Sequence, residues 1–181
     1  ALGDDTTNAY VADLTAGTIT LMAVSGIGTL GKIEIEATTL SAISVAGAID
    51  VTDLAGGLTV STAQTIGAVK LNATSGALAI GAVSAGSGLV TLTTTTSGNI
   101  TIDSVTTTGD ATITSAGTIE EPGLGDLAAD ITAATLSLTA AGGIGASGPL
   151  EILANTLAVA NVTSIGAISV SDLAGGLAVT S

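Results

Sequence analysis

Apolar and polar residues alternate along most of this chain in short runs, and the most regular of these runs begin just after a glycine. Gly47-Ala-Ile-Asp-Val-Thr, Gly67-Ala-Val-Lys-Leu-Asn, Gly88-Leu-Val-Thr-Leu-Thr and Gly109-Asp-Ala-Thr-Ile-Thr recur every 20 to 21 residues. A second series lies between them, beginning at Gly57, Gly76, Gly98 and Gly117 with spacings of 19, 22 and 19 residues. Alternation with period two is the mark of a half-buried strand. Each period therefore predicts two strands, with the eight glycines at corners. A unit this short cannot bury its own apolar face, so it stacks on its neighbours.

The pattern predicts an all-β fold: a parallel β-helix, or β-solenoid, of about 20 residues per turn with two main strands per turn and no significant helix. Roughly nine turns rising about 4.8 Å each make a rod on the order of 40 Å long. Upstream of the regular series, Thr18 to Leu21, Lys32 to Glu36 and Leu40 to Val45 read as further strands. Their alternation places Ile19, Leu21, Ile33 and Ile35 inside and the Thr, Lys and Glu residues outside. In the stacked register Asp50 lies directly below Lys70, an inter-turn ion pair, and Lys32 sits two residues from Glu34 on one face.

A longer repeat overlies the short one. Gly26-Ile-Gly-Thr-Leu-Gly-Lys-Ile-Glu-Ile35 aligns with Gly143-Ile-Gly-Ala-Ser-Gly-Pro-Leu-Glu-Ile152 at an offset of 117, and Asp53 to Leu58 recurs unchanged at Asp172 to Leu177. Residues 1–13 are expected to be an irregular cap or linker, and 14–181 one continuous solenoid. Its super-repeat copies lie near 14–121 and 122–181, the second incomplete, and Glu120-Glu121-Pro122-Gly123 makes an excursion at the joint. The alternation still runs at the last residues, so a further strand is expected to stack there.

Composition sharpens this picture. Aromatic residues are 1% of the chain, Tyr10 alone, while apolar residues reach 46%. A stack of equal aliphatic layers needs no large rings, whereas an outer-membrane β-barrel needs aromatic girdles at both interfaces. A β-sandwich leaves two interleaved glycine series with one period unexplained.

The formal charge is −13, from fifteen carboxylates against Lys32 and Lys70, with no arginine or histidine. Without a basic surface the chain has no means to displace counterions from nucleic acid or to bind anionic lipid. No apolar run is long enough for a membrane-spanning helix. Cysteine is absent, which removes disulfide and thiol chemistry. The first residues carry no secretion-signal pattern, so any export signal is expected outside them.

Catalysis has little to work with. The adjacent pairs Asp4-Asp5 and Glu120-Glu121 point to opposite faces if they lie on strands, and no His, Cys or Arg accompanies them. The expectation is no enzyme and no cofactor. Calcium is the one chemical alternative, with Asp103 and Asp110, or Asp126 and Asp130, bringing carboxylates together at corners. The calcium-binding nonapeptide of β-rolls and the EF-hand loop are absent, and turn formation is the ordinary role of such aspartates.

Thr135-Leu-Ser-Leu-Thr-Ala-Ala-Gly-Gly-Ile-Gly-Ala-Ser-Gly-Pro-Leu-Glu-Ile152, with Gly166-Ala-Ile-Ser-Val and Gly176-Leu-Ala-Val after it, resembles the β-strand repeats of large bacterial surface proteins of the filamentous haemagglutinin type. The likeness covers residues 14–181. It implies a right-handed parallel β-helix, export to the bacterial cell surface, and a role as stalk, adhesin or matrix fibre. The expected partners are adjoining repeats or further copies end to end, and host or matrix surface ligands. Self-assembly into an extracellular filament is the alternative use. A calcium-stabilised solenoid and a polysaccharide-processing β-helix enzyme are more distant ones.

Overall fold

The structure, a computed structural model, describes residues 2–3, 10–123 and 126–180. Most of the expected cap at 1–13, including Asp4 and Asp5, lies outside the described residues.

Among the described residues, fifteen strands follow in chain order. They are β1 (Leu14–Ala23), β2 (Ile33–Ser44), β3 (Ile49–Asp53), β4 (Leu58–Thr65), β5 (Val69–Ala73), β6 (Leu78–Ala85), β7 (Val90–Thr94) and β8 (Ile100–Thr107). After these come β9 (Ala111–Ser115), β10 (Thr118–Glu120), β11 (Ile131–Ala140), β12 (Gly143–Ile144), β13 (Leu150–Val162), β14 (Val170–Asp172) and β15 (Ala178–Val179). All pairings between these strands are parallel, and none of the described residues is helical. The chain is an all-β parallel β-solenoid of about 8 turns with roughly 21 residues per turn. The turn count falls one below the nine that a strict 20-residue period gives. One reason is the excursion between β10 and β11, which lengthens the step from Ala111 to its register partner Leu136 to 25 residues.

Register converts the sequence period into columns. Ile33, Val51, Leu71, Leu92, Ile113 and Leu138 are successive register partners and are all buried. Ile19, Leu40, Val60, Ile80 and Ile102 form a second buried column. Each such side chain contributes about 1.5–3 kcal/mol relative to an exposed one. The four aliphatics expected inside the early strands are buried, but Glu34 is buried as well, only 1% exposed. The strands expected at 32–36 and 40–45 merge into the single strand β2, because its first half pairs with β3 and its second with β4.

Corners close through glycine and through hydroxyls. The backbone at Gly47 has φ of 85°, a left-handed conformation that side chains rarely adopt. Gly88 needs no such φ. Instead a Cβ there would lie 2.3 Å from the backbone carbonyl of Gly67, one turn away. Two residues before three of these corners stands a buried hydroxyl. Gly109 N–H donates to Thr107 Oγ1 at 2.9 Å, and that hydroxyl donates to the Gly88 carbonyl at 2.8 Å. Thr65 serves Gly67 and Gly47 in the same way, and Ser115 serves Gly117 and Gly98. The corner is thus a hydrogen-bonded joint between turns, not merely a bend.

The long repeat does not fit a whole number of turns. Leu40 belongs to the column of Val60, whereas Leu157, its counterpart at an offset of 117, pairs through Leu136, Ala111, Val90 and Val69 down to Ile49. At roughly 21 residues per turn, 117 residues make about five and a half turns. The second copy is therefore rotated about the rod relative to the first.

Equilibrium unfolding in denaturant tests the corner account. Gly88→Ala is expected to lose about 1–3 kcal/mol from overpacking against Gly67, while Gly17→Ala, where a Cβ meets nothing within 4 Å, stays within about 0.5 kcal/mol of the parent. Equal losses at the two positions contradict stacked corners. Leu71→Ala, emptying a fully buried column position, is expected to lose about 2–5 kcal/mol in the same assay.

Candidate functional site

Carboxylates are the reactive chemistry this chain carries in quantity, and the fold gathers three of them. Glu121 follows β10, Asp130 precedes β11, and Glu151 is the second residue of β13. One oxygen from each lies within 4.8 Å of the others, and all three residues are buried. Asp130 and Glu151 meet because their turns stack. The Asp130 N–H donates to the Glu151 carbonyl at 2.9 Å, and the Glu151 N–H donates to Asp130 Oδ2 at 2.8 Å. Glu121 is brought in by the excursion, which leaves the solenoid after β10 and rejoins it at Asp130. Its neighbour Glu120 turns the other way, accepting from the Ser147 N–H at 3.0 Å.

Burial is the main force on these groups. It pushes the Asp130 carboxyl up to about 7, against the opposing bond from the Glu151 N–H and with further upward pressure from Glu121, Glu151 and Asp126. Glu151 is raised for the same reason, helped by the charge of Glu121 and by a carboxyl–carboxyl contact with it. Such a contact holds together only if a proton or a cation lies between the oxygens.

The first copy contains the same pair. The Asp13 N–H donates to the Glu34 carbonyl at 2.7 Å, and the Glu34 N–H donates to Asp13 Oδ2 at 2.9 Å. There, however, Lys32 Nζ lies 3.1 Å from Glu34 Oε1. The residue aligned with Lys32 in the second copy is Pro149, so Glu151 has no such counter-charge. The residue aligned with Glu121 is Asp4, outside the described residues. Asp53, in the turn above Glu34, accepts the Ala37 N–H at 3.2 Å through Oδ1 while its Oδ2 is buried without a hydrogen-bond partner. Burial raises its carboxyl too.

The residues singled out in the sequence fall as follows. Gly47, Gly67, Gly88 and Gly109 each precede a strand by two residues, and Gly57, Gly76, Gly98 and Gly117 stand one or two residues before β4, β6, β8 and β10. Asp50 and Lys70 are register partners with a 3.3 Å ion pair on the outside of the rod. Asp103 and Asp110 are both exposed and join no group of three acids among the described residues. Asp126 is exposed and its Oδ1 accepts the Ala128 N–H at 2.6 Å, a local turn, so Asp130 gathers with Glu121 and Glu151 instead. Sequence reading weighed Glu121 only with its neighbour Glu120, and passed over Glu151 as a site residue. The available signal was an acid followed one turn later by glutamate, at Asp13/Glu34 and again at Asp130/Glu151.

Grooves along the flank, such as that lined by Thr107, Thr132, Asn155 and Gly176, carry no carboxylate. No described helix is long and apolar enough to cross a membrane. No protein-family model, curated protein or solved structure matches the chain. The fold itself defines its class, a parallel β-solenoid.

Asp53, Asp130 and Glu151 share one direction of shift, which fixes the sign of the pH dependence. The folded protein keeps protons on these carboxyls at pH values where the unfolded chain has released them, so stability falls as pH rises above the ordinary carboxylate range. Thermal unfolding in chelator is expected at higher temperature at pH 5 than at pH 8, with a shallower slope for Asp53→Asn. The same slope in Asp53→Asn and the parent removes Asp53 from the account.

Proposed function

We propose that this chain is a non-enzymatic, extracellular β-helical segment of a large bacterial surface protein, a stalk, adhesin or matrix fibre of the filamentous haemagglutinin type that its repeats resemble. Stacking between turns carries the reading. Ile33, Val51, Leu71, Leu92, Ile113 and Leu138 form one buried column through successive turns, so each unit is completed by its neighbours and a rod is lengthened by repetition. Adjoining repeats or further copies end to end are the partners that suit such a stack.

The surface chemistry supports a scaffold. The joint of glycine and hydroxyl at Gly67, Gly109 and Gly117 ties turns together without adding a reactive group, and the flank grooves are lined by Thr, Ser, Asn, Gln, Ala, Gly and aliphatic residues. An acidic exterior keeps neighbouring rods from associating side by side.

Antibodies raised against residues 14–181 are expected to label unpermeabilised producing cells; labelling that requires permeabilisation overturns the surface assignment. End-to-end stacking of copies is read separately, by sedimentation velocity and negative-stain microscopy. Rods that lengthen with concentration, and that stay short in Ile168→Glu, support it. Rods of one length at every concentration rule out stacking of copies.

A further inference from the structure

We propose that Glu121, Asp130 and Glu151 form an internal binding site for a divalent cation of calcium's class, which pins the 121–130 excursion to the solenoid.

The geometry is that of a ligand set. Calcium binds oxygens at about 2.3–2.6 Å, so two oxygens on one ion lie at most about 5 Å apart. The three carboxylates offer oxygens within 4.8 Å of one another, from three separate segments of the chain. All donors are hard oxygens, which excludes a preference for soft or nitrogen-seeking metals. Three carboxylates at one point suit calcium better than magnesium, which keeps much of its water and takes one or two.

Two further observations point to a ligand independently of the clustering. Glu151 is only 4% exposed, and its Oε2 is buried with no hydrogen-bond partner. An ionised oxygen left so is destabilising unless a cation or proton joins it. The internal repeat then shows what the fold does with this glutamate when it can. In the first copy Lys32 places an ammonium 3.1 Å from Glu34, while in the second copy proline stands at that position and Glu121 brings a third carboxylate to the pair. The chain cannot supply the missing charge itself. Its only basic side chains are Lys32 and Lys70, paired with Glu34 and Asp50.

The site lies where the solenoid most needs a fastener. The excursion interrupts the pairing along β8, which is matched by β10 at Ile100 and Thr101 and by β11 at Val105 and Thr106. A cation joining Glu121 at the start of the excursion to Asp130 at its end, and both to Glu151 one turn on, closes the loop as a clip.

The test uses the whole 181-residue chain, stripped with chelator, at pH 8. Calorimetric titration with calcium chloride is expected to give one saturable site, and thermal unfolding to shift upward with calcium but not with sodium chloride of equal ionic strength. In Glu151→Gln and, separately, Glu121→Gln, affinity is expected to fall at least tenfold, whereas Glu34→Gln in the first copy keeps the parent response. Without calcium Glu151→Gln is expected to melt at or above the parent, since it removes a buried charge, and with calcium the order reverses. That reversal distinguishes a ligand from a damaged fold. No heat and no thermal shift up to millimolar calcium, an undiminished response in Glu151→Gln, or equal shifts with calcium, magnesium and matched sodium chloride each overturn the site. The surface-protein reading does not depend on the outcome.

Discussion

Hydrogen bonding between successive turns is the constraint from which the rest of this structure follows. Parallel turns joined by backbone bonds sit about 4.8 Å apart. At that spacing each side chain has the side chain one turn away as its nearest neighbour, so the sequence must repeat in kind every turn. Aliphatic residues stack in columns such as Val51, Leu71, Leu92 and Ile113. Corners allow no Cβ where backbone meets backbone, which is why glycine stands over glycine from Gly47 to Gly67 and Gly88. Hydroxyls at Thr65, Thr107 and Ser115 take up the polar groups that these corners leave inside.

The same rule that favours aliphatic columns penalises charge. A buried carboxylate stacked among parallel strands is far from water and close to whatever the neighbouring turns present. In the first copy the chain answers with Lys32, and on the outside with Lys70 opposite Asp50. In the second copy it presents three acids and proline. The two copies thus share a backbone design, down to the reciprocal bonds of Asp13 with Glu34 and Asp130 with Glu151, and differ in the charged side chains that face the buried glutamate.

Much of the fold was legible because solenoid order is periodic, and the period survives in sequence as spacing between glycines and alternation after them. The register of Asp50 with Lys70 follows from that spacing alone. What the spacing hides is anything that depends on interrupting it. Glu34 alternates like an outward residue, yet neighbouring segments cover it, so its burial was not readable from period two. Asp130 was noticed beside Asp126, which is near in sequence, while Glu121 and Glu151 come near only after the excursion closes and the next turn stacks. The half-integral number of turns in the long repeat was equally hidden, since an offset of 117 residues says nothing of the angle through which the rod has turned.

The central claim is that residues one period apart are stacked along one axis, and dipolar spin-label distances test it most directly. The chain has no cysteine, so Asp50→Cys can be paired in turn with Thr91→Cys, Thr112→Cys and Ser137→Cys, which lie two, three and four turns along the same column. The account predicts separations that rise in order by about 5 Å per turn, from about 10 Å to about 19 Å before allowance for the label arms. Distances that fail to increase in that order, or that step by much more than one interstrand spacing, contradict it.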